Sequence, residues 1–194
     1  NVIGGGDWSE NRLIPDIFRA FKKNKKINIR NPEQIRPWQH VLDCIQGYLL
    51  ACYKTSNSRL NIKNINIGPL KKEAFSVKKI LILFKKKINI ESKITKQYKF
   101  IESPILLLNS NLANKKLDFK PILKINETID YTVDWYLKKI KEKKLIYDIQ
   151  LSSYLLKAKK QKLKWIRKLT PLEALRLQGF PDKFYYKTKE ASLS

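Results

Sequence analysis

The chain has 194 residues, of which 43% are hydrophobic and 11% aromatic, and its formal net charge is +24. This length suits one domain, or one domain with an appendage, and the hydrophobic content excludes a chain that is disordered throughout. No apolar run approaches the ~18 residues that a membrane-spanning helix needs, and no signal peptide is recognisable. The sequence therefore predicts a cytoplasmic protein with no membrane partner.

The positive charge has two interpretations. Of the 41 basic residues, 34 are lysines spread along the chain beside abundant isoleucine and asparagine, which favours the solvated surface charge that an AT-rich genome encodes. A dedicated surface for nucleic acid would rely more on arginine, because its planar guanidinium reads phosphates and bases with two donors at once. We favour solvated charge, and polyanion binding stays the alternative.

The first half of the chain alternates between strands and helices. A strand at its beginning ends in the turn Gly4-Gly5-Gly6, where glycine permits positive φ and close approach of the backbone to a ligand. A helix begins near Pro15, a short strand follows at residues 27–29, and a second helix spans residues 40–53. The apolar stripes of the two helices are Ile14, Ile17, Phe18 and Phe21, and then Val41, Ile45, Tyr48, Leu49 and Cys52.

The next part continues the alternation and predicts an α/β fold. The predicted elements are a strand over residues 60–67 closed by a turn at Gly68-Pro69, a helix over 74–86, an extended apolar stretch over 98–108, a short helix over 109–117 and a long helix over 126–144. The inward face of the long helix is expected to carry Ile129, Val133, Tyr136, Leu137 and Ile140.

The two cysteines and the single histidine indicate packing rather than chemistry. Cys44 and Cys52 would lie about 12 Å apart along one helix, too far for a disulfide, so we expect small apolar packing residues in a reducing compartment. His40, at a helix start, is expected to cap or pack. The sequence predicts no metal site.

The composition changes near residue 155. Residues 155–164 form a basic connector, and residues 165–194 hold a short helical module. Thr170 and Glu173 form a capping box around Pro171 at the first helical position, and Gly179 ends the helix. We therefore predict three parts: residues 1–154, a linker at 155–164 and a tail at 165–194.

Several ordered blocks stand out in the first 154 residues: Asn1–Trp8, Arg12–Asp16, Asn31-Pro32, Arg36–Val41, Asn66–Pro69 and Thr132–Tyr136. These blocks resemble the second half of the CDP-glucose 4,6-dehydratases, which belong to the NAD-dependent epimerase/dehydratase family of extended short-chain dehydrogenases. The resemblance covers most of residues 1–154. It implies the C-terminal substrate-binding part of an incomplete Rossmann-type fold, with the NAD-binding half expected upstream of Asn1.

This resemblance also implies a ligand and the residues that hold it. The substrate would be a CDP-glucose-like nucleotide sugar, used in lipopolysaccharide O-antigen biosynthesis, and the intact enzymes bind NAD and form homodimers. Asn1 would contact the diphosphate or sugar, Arg12 and Leu13 would line the nucleotide pocket, and Arg36 would pair with the diphosphate. Glu102 matches an acidic residue near the substrate, although two neighbouring polar positions are replaced here.

The residues that carry the family's chemistry are not found in this sequence. The glycines lack the G-x-G-x-x-G spacing of a dinucleotide site, and no tyrosine in residues 1–154 has a lysine four positions later. Tyr185 has Lys189, but that pair lies in the tail. The sequence therefore assigns no catalytic residue, and we expect no turnover by this chain alone.

The tail resembles a different family. The pattern Arg167–Phe184, with Thr-Pro-x-Glu and Arg-Leu-Gln-Gly-Phe-Pro, resembles a late block of the C5-cytosine DNA methyltransferases, which use S-adenosylmethionine on DNA. Those enzymes attack cytosine with a cysteine that follows proline, whereas Cys44 follows Asp43 and Cys52 follows Ala51. The leading hypothesis is a dehydratase fragment with a foreign tail. The alternatives are a fragment of a DNA methyltransferase and a basic DNA-binding module.

Overall fold

The computed structural model describes residues 1–57, 64–95, 103–143 and 146–160. Contacts divide the chain into two compact units, Asn1–Tyr154 and Leu155–Ser194, and only residues 155–160 of the second unit are described. The helices of the described residues are α1 (Leu13–Lys22), α2 (Val41–Asn57), α3 (Val77–Lys85), α4 (Asn111–Leu117), α5 (Ile125–Glu142) and α6 (Tyr147–Lys160). The strands are β1 (Val2–Ile3), β2 (Ile27–Ile29), β3 (Ile35–Pro37), β4 (Gln39–His40), β5 (Ala74–Ser76) and β6 (Ser92–Ile94).

The described strands form three two-stranded sheets. β1 pairs with β4 and β2 pairs with β6, both in parallel, whereas β3 and β5 are antiparallel. Parallel pairs need a crossover, and the helices between the strands provide it. This mixture of helices and parallel strands confirms the predicted α/β class.

The core forms where α1, α3 and α5 bring aromatic rings together. Phe18, Phe84 and Tyr136 are fully buried. The rings of Phe18 and Tyr136 stack with centroids 3.9 Å apart, and Phe84 meets Phe18 edge to face at 5.8 Å. The predicted stripes of α1 and α5 supply Phe18 and Tyr136, so the helical periodicity located these two core residues correctly.

Helix α2 is present, but it buries the side opposite to its predicted apolar stripe. Ile45 is 42% exposed, Tyr48 is 58% exposed and Cys52 is also exposed, so the prediction that Cys52 packs inside is wrong. The buried side carries Asp43, Cys44, Gln46, Gly47 and Leu50. A Cβ on Gly47 would lie 2.3 Å from Ile67 Cγ2, so close backbone packing, rather than side-chain hydrophobicity, selects this face.

Three further segments differ from the sequence prediction. Residues 74–76 are β5, not helix, because they pair with β3 before Ser76 caps α3. Residues 64–67 are not a strand, since no described strand pairs with them. Residues 155–160, expected in the connector, are the last turns of α6.

Candidate functional site

A cavity of about 560 Å³ opens where β1, the first turn of α1, β2 and β3 meet. Its volume lies in the range of small-molecule sites, which usually combine apolar walls with a few polar groups. Apolar walls come from Ile3, Leu13, Ile14, Ile27, Ile29, Trp38 and Val77. Polar groups come from Asn1, Asp7, Asn11, Arg12, Asp16, Asn28, Arg30, Asn31, Gln34 and Arg36. The cavity can therefore surround a polar ligand of moderate size.

The fold brings four of the five sequence-predicted site residues to this one cavity. Asn1, Arg12, Leu13 and Arg36 all line it, although they lie up to 35 positions apart in the sequence. β1 positions Asn1, whose carbonyl accepts the Gln39 amide at 2.9 Å. The fifth, Glu102, lies outside the described residues. The roles of these residues toward a ligand stay predictions.

Asp7 and Arg12 form an ion pair across the turn that leads into α1. Arg12 Nη1 lies 3.3 Å from Asp7 Oδ2, and the Asp7 Oδ1 atom accepts the Ser9 amide at 2.9 Å. Burial alone would raise the pKa of Asp7, but the Ser9 hydrogen bonds and the Arg12 charge lower it overall. Because the Arg12 side chain is 67% exposed, it can change partner when an anion enters the cavity.

Arg36 extends from β3 and is held by oxygen atoms of the protein. Its Nη1 atom donates to the carbonyls of Ile35 at 2.9 Å and Ser103 at 3.0 Å, and Nη2 donates to Gln34 Oε1 at 2.8 Å. A guanidinium has five N–H donors, so at least three of them orient the side chain. Arg36 is thus fixed at the cavity wall before a ligand binds.

Arg30 also lines the cavity, and sequence reasoning missed it. It follows the last residue of β2, is exposed, and donates from Nη2 to the carbonyl of Asn11 at 3.2 Å. One signal could have found it, since the chain has only seven arginines among its 41 basic residues. Three of these seven, Arg12, Arg30 and Arg36, face one cavity, where guanidinium groups favour anions.

His40 is buried away from the cavity wall. Its Nδ1 atom accepts the Leu42 amide at 3.2 Å, and its ring meets Tyr131 edge to face at 5.5 Å. Burial lowers the pKa of His40 to about 4, so the ring is neutral at pH 7. This confirms the expected capping and packing role.

Two glycines of the turn pack closely against other parts of the protein. A Cβ on Gly5 would lie 2.0 Å from Trp135 Cγ, and one on Gly4 would lie 2.6 Å from Val41 Cγ1. The expected close approach to a ligand is therefore wrong for Gly5, because an indole ring fills that space. The glycine turn thus does not offer the open backbone at a helix N-terminus that binds a dinucleotide.

The described parts of the chain contain neither a candidate metal cluster nor a candidate membrane-spanning helix. No group of three or more His, Cys, Asp or Glu side chains there could hold a metal ion. No helix in the same residues has both the length and the apolar character that crossing a bilayer requires.

Comparison with known proteins connects the chain with two families. It is 36% identical over 142 residues to CDP-glucose 4,6-dehydratase of Salmonella typhimurium, covering 70% of this chain and 39% of that protein. UDP-glucuronic acid 4-epimerase from Bacillus cereus, solved with UDP-glucuronic acid and NAD, has a TM-score of 0.60 at 20% identity, over 71% of this chain and 43% of that one. UDP-glucose 4-epimerase from Thermotoga maritima, solved with UDP-glucose, has a TM-score of 0.61 at 20% identity, over 73% and 45%. The chain thus spans less than half of these relatives. A family model of the C-5 cytosine-specific DNA methylases matches residues 16–194.

The fold defines the class: the chain is an α/β protein with the fold of these nucleotide-sugar epimerases, and most of its sequence is similar to part of a CDP-glucose 4,6-dehydratase. By the match over residues 16–194, the chain belongs to the C-5 cytosine-specific DNA methylase family. That match extends through residues 161–194, outside the described residues, where the sequence carries the methyltransferase-like pattern. Both predicted resemblances are confirmed, and the methylase match extends well beyond the tail for which it was predicted.

Proposed function

We propose that residues 1–154 form the sugar-nucleotide side of a CDP-glucose 4,6-dehydratase-type cleft. One observation carries this proposal: Asn1, Arg12, Leu13 and Arg36 line a single cavity of about 560 Å³. The sequence resemblance implies the same residues independently of the cavity. A nucleotide sugar needs an apolar wall for its base and cationic donors for its diphosphate, and this cavity has both.

The predicted roles follow the positions of the residues. Arg36 is held by Gln34 and two carbonyls, so it offers a fixed positive charge for the diphosphate. Arg12 and Leu13 begin α1 at the cavity rim and take the nucleotide. Asn1, which directly precedes β1, takes the diphosphate or the sugar, and Glu102 is proposed to act near the same ligand.

The reaction itself requires groups beyond this chain. The glycine turn is filled by Trp135, and no tyrosine-lysine pair at the required spacing occurs in residues 1–154. We therefore assign NAD binding and proton transfer to a separate NAD-binding half, and a homodimer to the intact enzyme. The free thiols Cys44 and Cys52 support a reducing compartment such as the cytoplasm.

Calorimetry tests the nucleotide site. The chain is titrated with CDP and CDP-glucose, and binding is expected to weaken at least about tenfold in Arg36→Ala, since charge-assisted hydrogen bonds to phosphate are lost. Lys141→Ala removes one positive charge from an exposed position of α5 that does not line the cavity, and this variant should bind like the unmodified chain. The proposal fails if the unmodified chain binds neither nucleotide, or if the purified chain alone makes a 4-keto-6-deoxy sugar.

A second candidate function is DNA contact by the tail in the manner of a cytosine methyltransferase fragment. The family match over residues 16–194 and the net charge of +24 favour it. No cysteine of the chain follows a proline, so methyl transfer from S-adenosylmethionine is not expected. Binding of a duplex oligonucleotide at two salt concentrations, with and without residues 161–194, tests this candidate, because phosphate contacts weaken steeply with salt.

A further inference from the structure

Arg30 extends into the cavity from the carboxyl end of β2, and neither the sequence resemblance nor the proposed roles above use it. We propose that Arg30 binds a phosphate group of the ligand in this cavity. The inference rests on the proposed nucleotide site and adds one binding residue to it. The chemical class of the bound group is a phosphate or diphosphate anion.

The hydrogen bonds of Arg30 leave most of its donors available. Within the described parts of the chain, its guanidinium donates one hydrogen bond, from Nη2 to the Asn11 carbonyl at 3.2 Å. A guanidinium has five N–H groups in a planar fork. The bond to Asn11 therefore anchors one end of the fork, and the remaining donors can bind an oxyanion in the cavity with two parallel bonds.

The carboxylates of the cavity do not neutralise Arg30. Two acidic side chains line the wall, Asp7 and Asp16. Asp7 pairs with Arg12 at 3.3 Å, and Asp16 pairs with Arg19 on the next turn of α1. The Arg30 charge thus remains as a positive excess at the wall, which attracts an anionic group.

Arg19 is an arginine with a structural role, and its hydrogen bonds provide a comparison for those of Arg30. Its guanidinium donates to the carbonyls of Trp8 at 2.7 Å and Ser9 at 2.9 Å, in addition to its pair with Asp16. These bonds tie the entry turn to α1. Arg30 makes one such bond and lines the cavity, so its remaining donors are directed to the site of the ligand rather than to the fold.

The test compares Arg30→Gln with Lys141→Gln, a matched loss of one charge at an exposed position of α5 that does not line the cavity. The probes for calorimetry are pyrophosphate, CDP and cytidine, each with the full chain. Arg30→Gln is expected to weaken the binding of pyrophosphate and of CDP about tenfold or more. The affinity for cytidine should change by no more than about twofold. Lys141→Gln should leave all three affinities unchanged.

The outcomes separate this inference from the proposed function. If Arg30→Gln weakens the binding of cytidine and of CDP equally, Arg30 only holds the turn at Asn11 and the inference is overturned. Unchanged CDP binding in Arg30→Gln would also overturn it. If pyrophosphate binding depends on Arg30 but CDP binds no more tightly than pyrophosphate, the inference about Arg30 is kept and the proposed nucleotide site is rejected. Binding of none of the probes by the unmodified chain would reject both.

Discussion

Asp43 is the buried carboxylate that joins three segments of the chain. It is fully buried on α2 and accepts hydrogen bonds from the Ile122 amide at 2.8 Å, the Leu123 amide at 3.2 Å and the Tyr154 hydroxyl at 2.8 Å. Burial raises the pKa of Asp43 to about 6, although these donors act in the opposite direction. A carboxylate that is costly to ionise in the folded state makes stability depend on pH.

The Asp43 contribution to stability should be present in full below pH 3.8, the usual pKa of the group, and should be lost as pH rises through about 6. The folded state binds the proton more tightly than the unfolded state, so the free energy of unfolding falls across this window, by up to about 3 kcal/mol. Urea unfolding of the unmodified chain and of Asp43→Asn between pH 4 and 7 checks this. Asp43→Asn should have the flatter profile, whereas Tyr154→Phe removes a donor that lowers the pKa of Asp43 and should extend the fall in stability to higher pH. Parallel profiles for the unmodified chain and Asp43→Asn would contradict the prediction.

Gly5 is required by its contact with Trp135. In Gly5→Ala the new Cβ would lie 2.0 Å from Trp135 Cγ, so the indole or the β1 turn must move. We expect a loss of about 1–3 kcal/mol in the free energy of unfolding, measured by urea denaturation. Gly68→Ala is the control, because its Cβ would lie 3.0 Å from the flexible end of Leu108, and it should cost less. Equal costs for the two variants would show that the indole does not set the requirement at Gly5.

At the scale of elements, two serines precede helices but differ in what they do. Ser76 precedes α3 and its Oγ accepts the Lys79 amide at 3.2 Å. Ser110 precedes α4 without a capping bond, and its buried Oγ has no partner among the described residues. Only the first serine therefore satisfies a free amide of a helix N-terminus.

Ser76→Ala should accordingly lower the free energy of unfolding by about 1 kcal/mol, the usual cost of a lost cap. Ser110→Ala should change it by no more than about 0.5 kcal/mol, because it removes no hydrogen bond. Thermal and urea unfolding measured side by side check this difference. A cost for Ser110→Ala that equals or exceeds that of Ser76→Ala would refute this assignment of the caps.

The sequence correctly predicted the buried face of those helices in which large apolar side chains recur at helical spacing. In α1 and α5, large apolar residues at helical spacing face the core, so periodicity alone located Phe18 and Tyr136. In α2 the buried side is set by Gly47 and by Asp43. The hydrogen-bond partners of Asp43 lie more than 70 residues away in the chain, so the local hydrophobic pattern cannot indicate them. Strand β5 depends in the same way on pairing with distant β3.

The cavity was predictable only in part, for a related reason. The blocks that resemble the dehydratases contain Asn1, Arg12, Leu13 and Arg36, and these residues meet in the fold. Arg30 lies directly before the Asn31-Pro32 block, and its local sequence alone does not mark it as a site residue. Its place in the cavity follows from the pairing of β2 with β6 and from the bond to Asn11, which are contacts between distant parts of the chain.

At the scale of the whole molecule, the main unusual feature is the amount of exposed apolar surface in residues 1–154. Ile45 and Tyr48 on α2 are exposed, and the run Ile105–Leu108 exposes four large side chains in succession. Leu108 contacts the backbone at Gly68, and Ile67 contacts α2 at Gly47, so the two groups lie on neighbouring segments. Exposed apolar groups of this kind mark surfaces that other protein normally covers, and we expect the isolated chain to be marginally stable.

The double substitution Ile45→Ser with Tyr48→Ser tests whether this surface is as open as the structure has it. Side chains that are 42% and 58% exposed contribute little to the fold, so the free energy of unfolding should change by no more than about 0.5 kcal/mol per substitution. Fluorescence of an apolar dye such as ANS, and the mass measured by light scattering, should both fall because less apolar surface is available. Ile80→Ser, at a fully buried position of α3, is the opposite control and should unfold the chain at much lower urea. A large loss of stability in the double variant, or a sharp cooperative melt of the unmodified chain at high urea, would mean that other residues of this chain already cover the α2 face.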